Sequence, residues 1–137
     1  MENYLKMNMA KADIAAISIL GLAHIGDGVF ELLCRSYLCA KGEKIVDRLH
    51  RDTIRLVKAT AQAKFADAML HLLTEDELAH YRRGKNSHVH EVPKSATPAE
   101  YAKATGAEAL FGYLHLSGQD DRANEIFVTV MEALYGI

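Results

Sequence analysis

The stretch GLAHIGDGVFE, residues 21–31, places an aspartate between two glycines in a mostly apolar run. Spacings of three and four residues put one set of side chains on a single helical face: Leu20, Ala23, Asp27, Phe30 and Cys34. Asp27 is the only charge on that stripe. Because burying an unpaired carboxylate is costly, we expect a cation, hydrogen-bond donors or a metal beside Asp27.

A second segment, TGAEALFGYLHL at residues 105–116, repeats this pattern. One helical face there holds Tyr101, Thr105, Glu108, Phe111 and His115. Glu108 is the only carboxylate on that face, so the two acids meet if the two stripes face each other. Two oxygen ligands on rigid helices would suit Mg²⁺, which keeps several waters and takes few protein carboxylates.

A structural explanation of the two acids stays open beside the metal. Lone buried acids often cap a helix or form half of an ion pair. His24 is within reach of Asp27 on the same helix, and Arg35 follows Glu31 by one turn. Spacing alone does not separate this explanation from a metal site.

The chain of 137 residues predicts an all-α protein of about five main helices, with no alternating strand pattern. We expect one domain over residues 1–137, with residues 1–16 as an N-terminal extension. The predicted helices begin and end at signals typical of helix caps. They run from Asp13 or Ser18 to about Ala40, from Val46 to Leu73, from Thr74 to a C-cap at Gly84, from Thr97-Pro98 to Ser117-Gly118, and from Asp120 to Leu134.

Cysteine usage and hydropathy indicate a cytoplasmic protein without a membrane partner. Cys34 and Cys39 suit neither a disulfide framework nor a zinc site, and we interpret both as small core side chains in a reducing compartment. The N-terminus lacks a signal-peptide pattern, and the apolar run IAAISILGLA is too short to cross a bilayer.

The net charge is −2, but the charges are segregated. Six Lys or Arg against two Asp lie between Lys44 and Lys64, and four Lys or Arg lie between His80 and Lys94. The first group forms a helical stripe of Arg48, Arg51, Arg55, Lys58 and Gln62, with no acid on that face. Such a stripe suits RNA phosphates, although a solvated helix face is the commoner explanation.

These residues resemble the ribonuclease III family. HIGDGVFE is similar to the signature helix of that family, and TGAEALFGYLHL is similar to its second acidic motif. The resemblance is closer to the short Mini-ribonuclease III branch, which lacks a double-stranded-RNA-binding domain. The match covers nearly the whole chain from about Ile17. Further matching pieces follow in the same order: LHR at 49–51, KATAQAK at 58–64, RRGKN at 82–86 and VPK at 92–94.

The resemblance implies a homodimeric endoribonuclease that uses Mg²⁺, with Mn²⁺ as a substitute, to hydrolyse double-stranded RNA. It makes Asp27 and Glu108 both the catalytic acids and the metal ligands. It implies maturation of large-subunit (23S) ribosomal RNA precursors, with a ribosomal protein on the substrate as a possible further partner. The candidate RNA-binding residues are Arg51, Arg82, Arg83, Lys85, Asn86 and Lys94, with His50, Lys64 and Tyr101 as weaker candidates.

Departures from the longer enzymes leave the metal count open. Those enzymes carry acids at the positions of Leu20, Ala23 and Thr105, so we expect one well-held Mg²⁺ here. The close-packing glycines of the first motif fit either a dimer interface or packing within one subunit. Two other metal patterns are weak: ELAH at 77–80 occurs once, whereas di-iron bundles need two copies, and HVH at 88–90 has no cysteine nearby.

Two other functions stay open at this point. The first is a non-catalytic RNA-binding or ribosome-assembly module on the same scaffold. The second is a helical metal-binding or protein-interaction domain unrelated to RNA. Retention of both acids argues against the first, and a gel shift with duplex RNA in Ca²⁺ would separate the second from the RNA-related functions.

Overall fold

The computed structural model describes residues 1–87 and 95–136, and all regular structure within these ranges is helical. This confirms the predicted all-α class, although these residues form seven α-helices rather than about five. The helices are α1 Lys11–Ala15, α2 Ile19–Ala40, α3 Val46–Val57, α4 Ala59–Met69, α5 Glu75–Lys85, α6 Pro98–Leu116 and α7 Asp120–Tyr135, with a 3-10 turn at Leu70–Leu72.

The second predicted helix is in fact two helices. Lys58 adopts an extended conformation, with φ −62° and ψ 153°, and separates α3 from α4. The side chain of Gln62 donates from Nε2 to the Val57 carbonyl at 2.8 Å and so caps the end of α3. A continuous 3.6-residue period therefore does not hold across Lys58, and Gln62 does not continue the face of Arg55.

Local capping signals place most other helix ends. Ser18 caps α2 by accepting from the Gly21 amide at 3.0 Å. Thr74 and Thr97 both complete capping boxes, as the sequence predicts at Thr74. Gly84 is not a C-cap, because α5 continues to Lys85 and Asn86 caps it. A β-carbon at Gly84 would lie 2.7 Å from that of Ala109, so this glycine allows α5 to cross α6 closely.

The core surrounds α6, which packs against α2, α4, α5 and α7. Four phenylalanines meet there, with ring centroids 5.0–6.1 Å apart in mostly edge-on arrangements: Phe30, Phe65, Phe111 and Phe127. Cys34 is buried in this core, as predicted, but Cys39 is exposed. Five residues advance a helix by about 140° past one full turn, so the two thiols cannot share a face.

The closest helix crossing lies between α2 and α6. A β-carbon at Gly26 would lie 1.6 Å from the backbone oxygen of Glu108, and one at Gly112 would lie 2.0 Å from that of Leu22. Gly26 therefore serves packing within one subunit, whereas Gly28 has nothing within 4 Å. Asp27 directly follows the contact point, and this places it beside Glu108.

The N-terminal segment packs against the same bundle. The Met9 amide donates to the carbonyl of Leu116 at 2.8 Å, and Ile14 of the short helix α1 is buried. Ile14 joins a small apolar cluster with Leu22 and Ala109. Across the described residues, every helix falls short of the length or hydropathy that a membrane span requires.

Candidate active site

Asp27 and Glu108 line one cavity of about 270 Å³ between α2 and α6. The two predicted stripes thus face each other there. The remaining lining residues are Leu20, Ala23, His24, Tyr101 and Thr105. Asp27 is exposed and Glu108 is half-buried, so the expectation of a buried Asp27 is wrong. The stripe of α2 is covered at Ala23 and from Phe30 onward, but it opens to solvent at Leu20 and Asp27.

The electrostatics of this cavity disfavour two negative charges. Burial, and next the hydrogen bond and charge of Asp27, raise the pKa of Glu108 to about 8. The Gln62 side chain opposes this rise by stabilising the ionised carboxyl. Within the described residues, neither Asp27 nor Glu108 forms an ion pair with a basic side chain. The pair therefore lacks a positive charge.

The structural explanation of these acids finds little support. His24 lines the cavity, but among the described residues it makes no hydrogen bond to Asp27. Arg35 does pair with Glu31, at 3.2 Å, but both side chains of that pair are well exposed. Neither contact compensates the charge of Asp27 or of Glu108.

The donor set of this cavity fits a small hard cation. Two carboxylates from rigid helices are the usual protein contribution to a Mg²⁺ site, with waters and substrate oxygens completing it. A bound cation would also relieve the repulsion that raises the pKa of Glu108. The described residues contain no cluster of three or more His, Cys, Asp or Glu side chains suited to a metal, so they offer such an ion at most two acidic ligands.

The predicted basic stripe on α3 is only partly realised. Arg48, Arg51 and Arg55 are exposed on α3. Asp52, however, lies 3.6 Å from the Nε of Arg51 and 3.4 Å from the Nη1 of Arg55, so the stripe does include an acid. Gln62 is only 3% exposed and is not part of this surface.

The predicted cluster at the end of α5 divides between two surfaces. Arg82, Lys85 and Asn86 are exposed. Arg83 is also exposed, and it lines a separate cavity of about 430 Å³, together with Asp76, His80, Tyr113 and residues of the N-terminal segment. None of these residues lines the cavity of the two acids. Lys94 and the HVH sequence at 88–90 lie outside the described residues.

Sequence reasoning missed two buried polar contacts. Glu77, the acid of the ELAH pattern, accepts from Arg122 Nε at 2.8 Å and from Nη2 at 2.9 Å, so its carboxylate is already paired. Arg122 also donates to the Leu72 carbonyl at 2.7 Å. The second missed contact is the hydrogen bond from Gln62 Nε2 to the Val57 carbonyl, at 2.8 Å, which belongs to a buried side chain. A polar side chain among the alanines of α4 is the one local signal that points to it.

Comparison with known proteins identifies this arrangement. Residues 20–119, which include both acids, match the family model described as Ribonuclease III domain, so the class is that of helical endoribonucleases. The chain is 45% identical to the Mini-ribonuclease 3 of Symbiobacterium thermophilum, over 86% of this chain and 91% of that protein. It is 40% identical to the Mini-ribonuclease 3 of Enterococcus faecalis, over 83% and 88% respectively.

A solved structure agrees with this result. A crystal structure of a Fusobacterium nucleatum protein superimposes with a TM-score of 0.79 at 29% identity, covering 89% of this chain and 94% of that one. The chain therefore belongs to the ribonuclease III family, within its Mini-ribonuclease 3 branch, and is an endoribonuclease. This confirms the resemblance that the two acidic motifs indicate and argues against a helical domain unrelated to RNA.

Proposed function

We propose that this endoribonuclease hydrolyses phosphodiester bonds in double-stranded RNA with a Mg²⁺ ion held by Asp27 and Glu108. One observation carries the proposal: the two carboxylates share a cavity and lack a compensating protein cation among the described residues. The family generally depends on divalent metals and acts on double-stranded RNA. Mn²⁺ has the same preference for oxygen ligands and would substitute.

The residues of the cavity then have distinct tasks. Asp27, at the exposed mouth, and Glu108, farther inside, hold the ion from two helices. A bound Mg²⁺ supplies Lewis-acid chemistry, since it neutralises charge on the phosphate and lowers the pKa of a water. Leu20 and Ala23 offer no competing ligand and make the surroundings of the acids less polar, which strengthens electrostatic interactions there. The products would carry a 5′-phosphate and a 3′-hydroxyl.

We infer one well-held metal ion per site. Leu20, Ala23 and Thr105 all line the cavity, and none supplies a carboxylate. The Thr105 hydroxyl donates to the Tyr101 carbonyl at 3.0 Å and adds no negative charge to the cavity. A second ion would have to rely on oxygens of the RNA phosphate.

The RNA contacts belong to the same proposal. The exposed positions of Arg51, Arg82, Lys85 and Asn86 make these side chains available to phosphates. Arg83 is exposed as well, beside a cavity that the two acids do not line, and it stays a candidate for the same role. Lys94 is retained as a candidate on the family match alone.

The biological setting is proposed from the family. Members of the ribonuclease III family generally act as dimers, and a dimer would let each subunit cut one strand. The exposed Leu32 and the open space beside Gly28 on α2 are compatible with such an interface. The substrate would be a large-subunit (23S) ribosomal RNA precursor in the cytoplasm, presented with a ribosomal protein.

The test is cleavage of a long RNA duplex by the purified protein in Mg²⁺ and in EDTA. We expect Mg²⁺-dependent fragments that disappear in Asp27→Asn and in Glu108→Gln. Glu31→Gln is the matched control, because Glu31 lies one turn beyond Asp27 on α2 and pairs with Arg35 at the surface. A wild-type protein that shifts the duplex in Ca²⁺ gels but never cuts it in Mg²⁺ would instead support a non-catalytic RNA-binding or ribosome-assembly module.

A further inference from the structure

The second cavity, of about 430 Å³, lies between the N-terminal segment and helices α2, α5 and α6. Its volume falls within the range of small-molecule sites. It shares no lining residue with the cavity of Asp27 and Glu108. The contacts of its own lining residues therefore have to indicate what it binds.

The N-terminal segment forms one wall of this cavity. The amide of Met9 donates to the Leu116 carbonyl at 2.8 Å, and Ile14 is only 5% exposed, so the segment is held against the bundle. Met9, Ile14 and the buried Leu22 make this wall largely apolar. Because the match to the family model begins at residue 20, most of this wall precedes the matched domain. The catalytic domain of the family therefore does not by itself account for the cavity.

Side chains of α5 and α6 form the opposite, polar wall. The rings of His80 and Tyr113 are stacked, with centroids 3.6 Å apart and planes 14° from parallel. The Tyr113 hydroxyl donates to Asp76 Oδ2 at 2.8 Å, and His80 Nδ1 donates to the Asp76 backbone carbonyl at 2.9 Å. Because a carbonyl only accepts, the neutral His80 ring presents Nε2 as an acceptor. Among the described residues, nothing donates to this Nε2 or to Asp76 Oδ1.

The charges around this cavity favour an anion. Lys11 and Arg83 both line it, both are exposed, and among the described residues neither forms an ion pair. Asp76 is the one carboxylate in the lining, so two positive charges meet one negative charge before any charge on His80 is counted. Guanidinium and ammonium groups are the usual protein partners of phosphate oxygens.

The geometry points to a binding site for a nucleoside monophosphate in this cavity, separate from the two acids. Arg83 and Lys11 would hold the phosphate. Asp76 Oδ1 and His80 Nε2 suit the ribose hydroxyls, which donate hydrogen bonds, and the apolar N-terminal wall would cover the base. Such a unit occurs as a free mononucleotide and at the 5′-phosphorylated end of an RNA strand. The inference does not depend on the proposed metal site, and its test contains no metal.

The experiment is a calorimetric titration of adenosine 5′-monophosphate into the RNA-free protein in EDTA. Lys11→Met and Arg83→Met each remove one cation from the cavity. Ala15→Trp keeps both cations but places a large ring in the cavity, and Ala15 is exposed at the end of α1, where a larger side chain is tolerated. Arg82→Met is the matched control, because Arg82 is exposed on the same helix, carries the same charge and does not line the cavity.

We expect the wild type to bind one adenosine 5′-monophosphate per subunit. Lys11→Met and Arg83→Met should each weaken binding by about 10-fold or more, because each loses a charge-assisted hydrogen bond. Ala15→Trp should abolish binding, and Arg82→Met should bind like the wild type. Adenosine and inorganic phosphate, which each carry one part of the ligand, should bind more weakly than the nucleotide.

Three results would overturn the site. They are a wild type that binds no nucleotide, equal losses in Arg82→Met and Arg83→Met, and unchanged binding in Ala15→Trp with a native circular dichroism spectrum. Inorganic phosphate that binds as tightly as the nucleotide would also contradict the proposal, since it would leave a simple anion site.

Short single-stranded RNAs in the same buffer then identify the source of the nucleotide unit. Displacement of adenosine 5′-monophosphate by a 5′-phosphorylated strand, but not by its 5′-hydroxyl counterpart, assigns the site to RNA ends. Displacement by neither strand assigns it to the free mononucleotide. Equal displacement by both strands would contradict recognition of a monophosphate.

Discussion

Two glutamates withdrawn from solvent, Glu77 and Glu108, have opposite environments. Glu77 is 4% exposed and forms two hydrogen bonds with Arg122, which lower its pKa. Glu108 faces Asp27, and burial raises its pKa to about 8. The ionised form of a glutamate side chain is thus stabilised at position 77 and disfavoured at position 108.

The difference distinguishes an acid that is already paired with a basic side chain from one that is not. Glu77 needs no ligand, because Arg122 joins α5, the 3-10 turn and α7 into one network. Burial and the neighbouring Asp27 disfavour the ionised form of Glu108, and a bound cation would favour it. The partner across the fold, rather than the neighbours in sequence, therefore indicates which acid is available for the proposed metal.

The largest expected effect is on cleavage. Glu108→Gln should lower the single-turnover rate in saturating Mg²⁺ by about 1,000-fold or more, because a metal ion contributes several kcal/mol to transition-state stabilisation. Glu77→Gln should leave the rate near the wild-type value at temperatures where the variant is folded. An equal loss in both variants, with native circular dichroism spectra, would remove the distinction between the two acids.

The next effect is on stability. Arg122→Met leaves Glu77 buried without its cation, so the free energy of unfolding should fall by about 3–5 kcal/mol, as measured by urea denaturation. Arg55→Met is the control, since Arg55 pairs with Asp52 at an exposed site and should contribute less than about 1 kcal/mol. Similar losses in the two variants would show that Glu77 does not depend on Arg122.

A smaller effect tests the helix crossing that brings Asp27 to Glu108. Gly26→Ala places a methyl group against the Glu108 carbonyl and should destabilise the fold by about 1–3 kcal/mol, with reduced Mn²⁺ binding. Gly28→Ala meets no atom within 4 Å and should leave the stability of the subunit unchanged or slightly higher. If both substitutions were equally tolerated, the close approach of α2 and α6 would be wrong.

The smallest effect concerns pH in EDTA. The raised pKa of Glu108 stabilises the fold at pH below about 4.5, and this contribution is lost as pH rises toward 8. The melting temperature of the wild type relative to Glu108→Gln should therefore fall as the pH rises from 5 to 8. Glu77 has the opposite sign: its lowered pKa adds stability above about pH 4.5, which is lost on acidification. A difference in melting temperature that does not change with pH would contradict the raised pKa of Glu108.

Local patterns predicted much of the architecture. The helical stripes around Asp27 and Glu108, the Ser18 cap and the capping box at Thr74 depend on residues within two turns of one another. The motifs around the two acids also indicated the family that the comparisons confirm. The roles of Asp27, Glu108 and the basic residues at the end of α5 stay predictions until they are tested.

The errors share one cause, since each depends on packing between distant segments. The sequence periodicity predicts one continuous helix, but the extended backbone at Lys58 divides it into α3 and α4. Gln62 therefore lies in the core and not on the predicted basic stripe. The sequence predicts that Gly84 ends α5, but in the structure this glycine allows α5 to pack closely against α6. Asp27 lies on an apolar stripe, yet α6 leaves it open to solvent.

By itself, the sequence determined the helical class, most helix ends and the family, because these follow from short-range spacing and motif chemistry. Tertiary structure alone decided which acid is paired and which is not. Glu77 meets Arg122 across 45 residues, and Glu108 meets Asp27 only where α2 and α6 pack together. The pKa of a carboxyl group depends on the charges and solvent around it, and those are set by the fold.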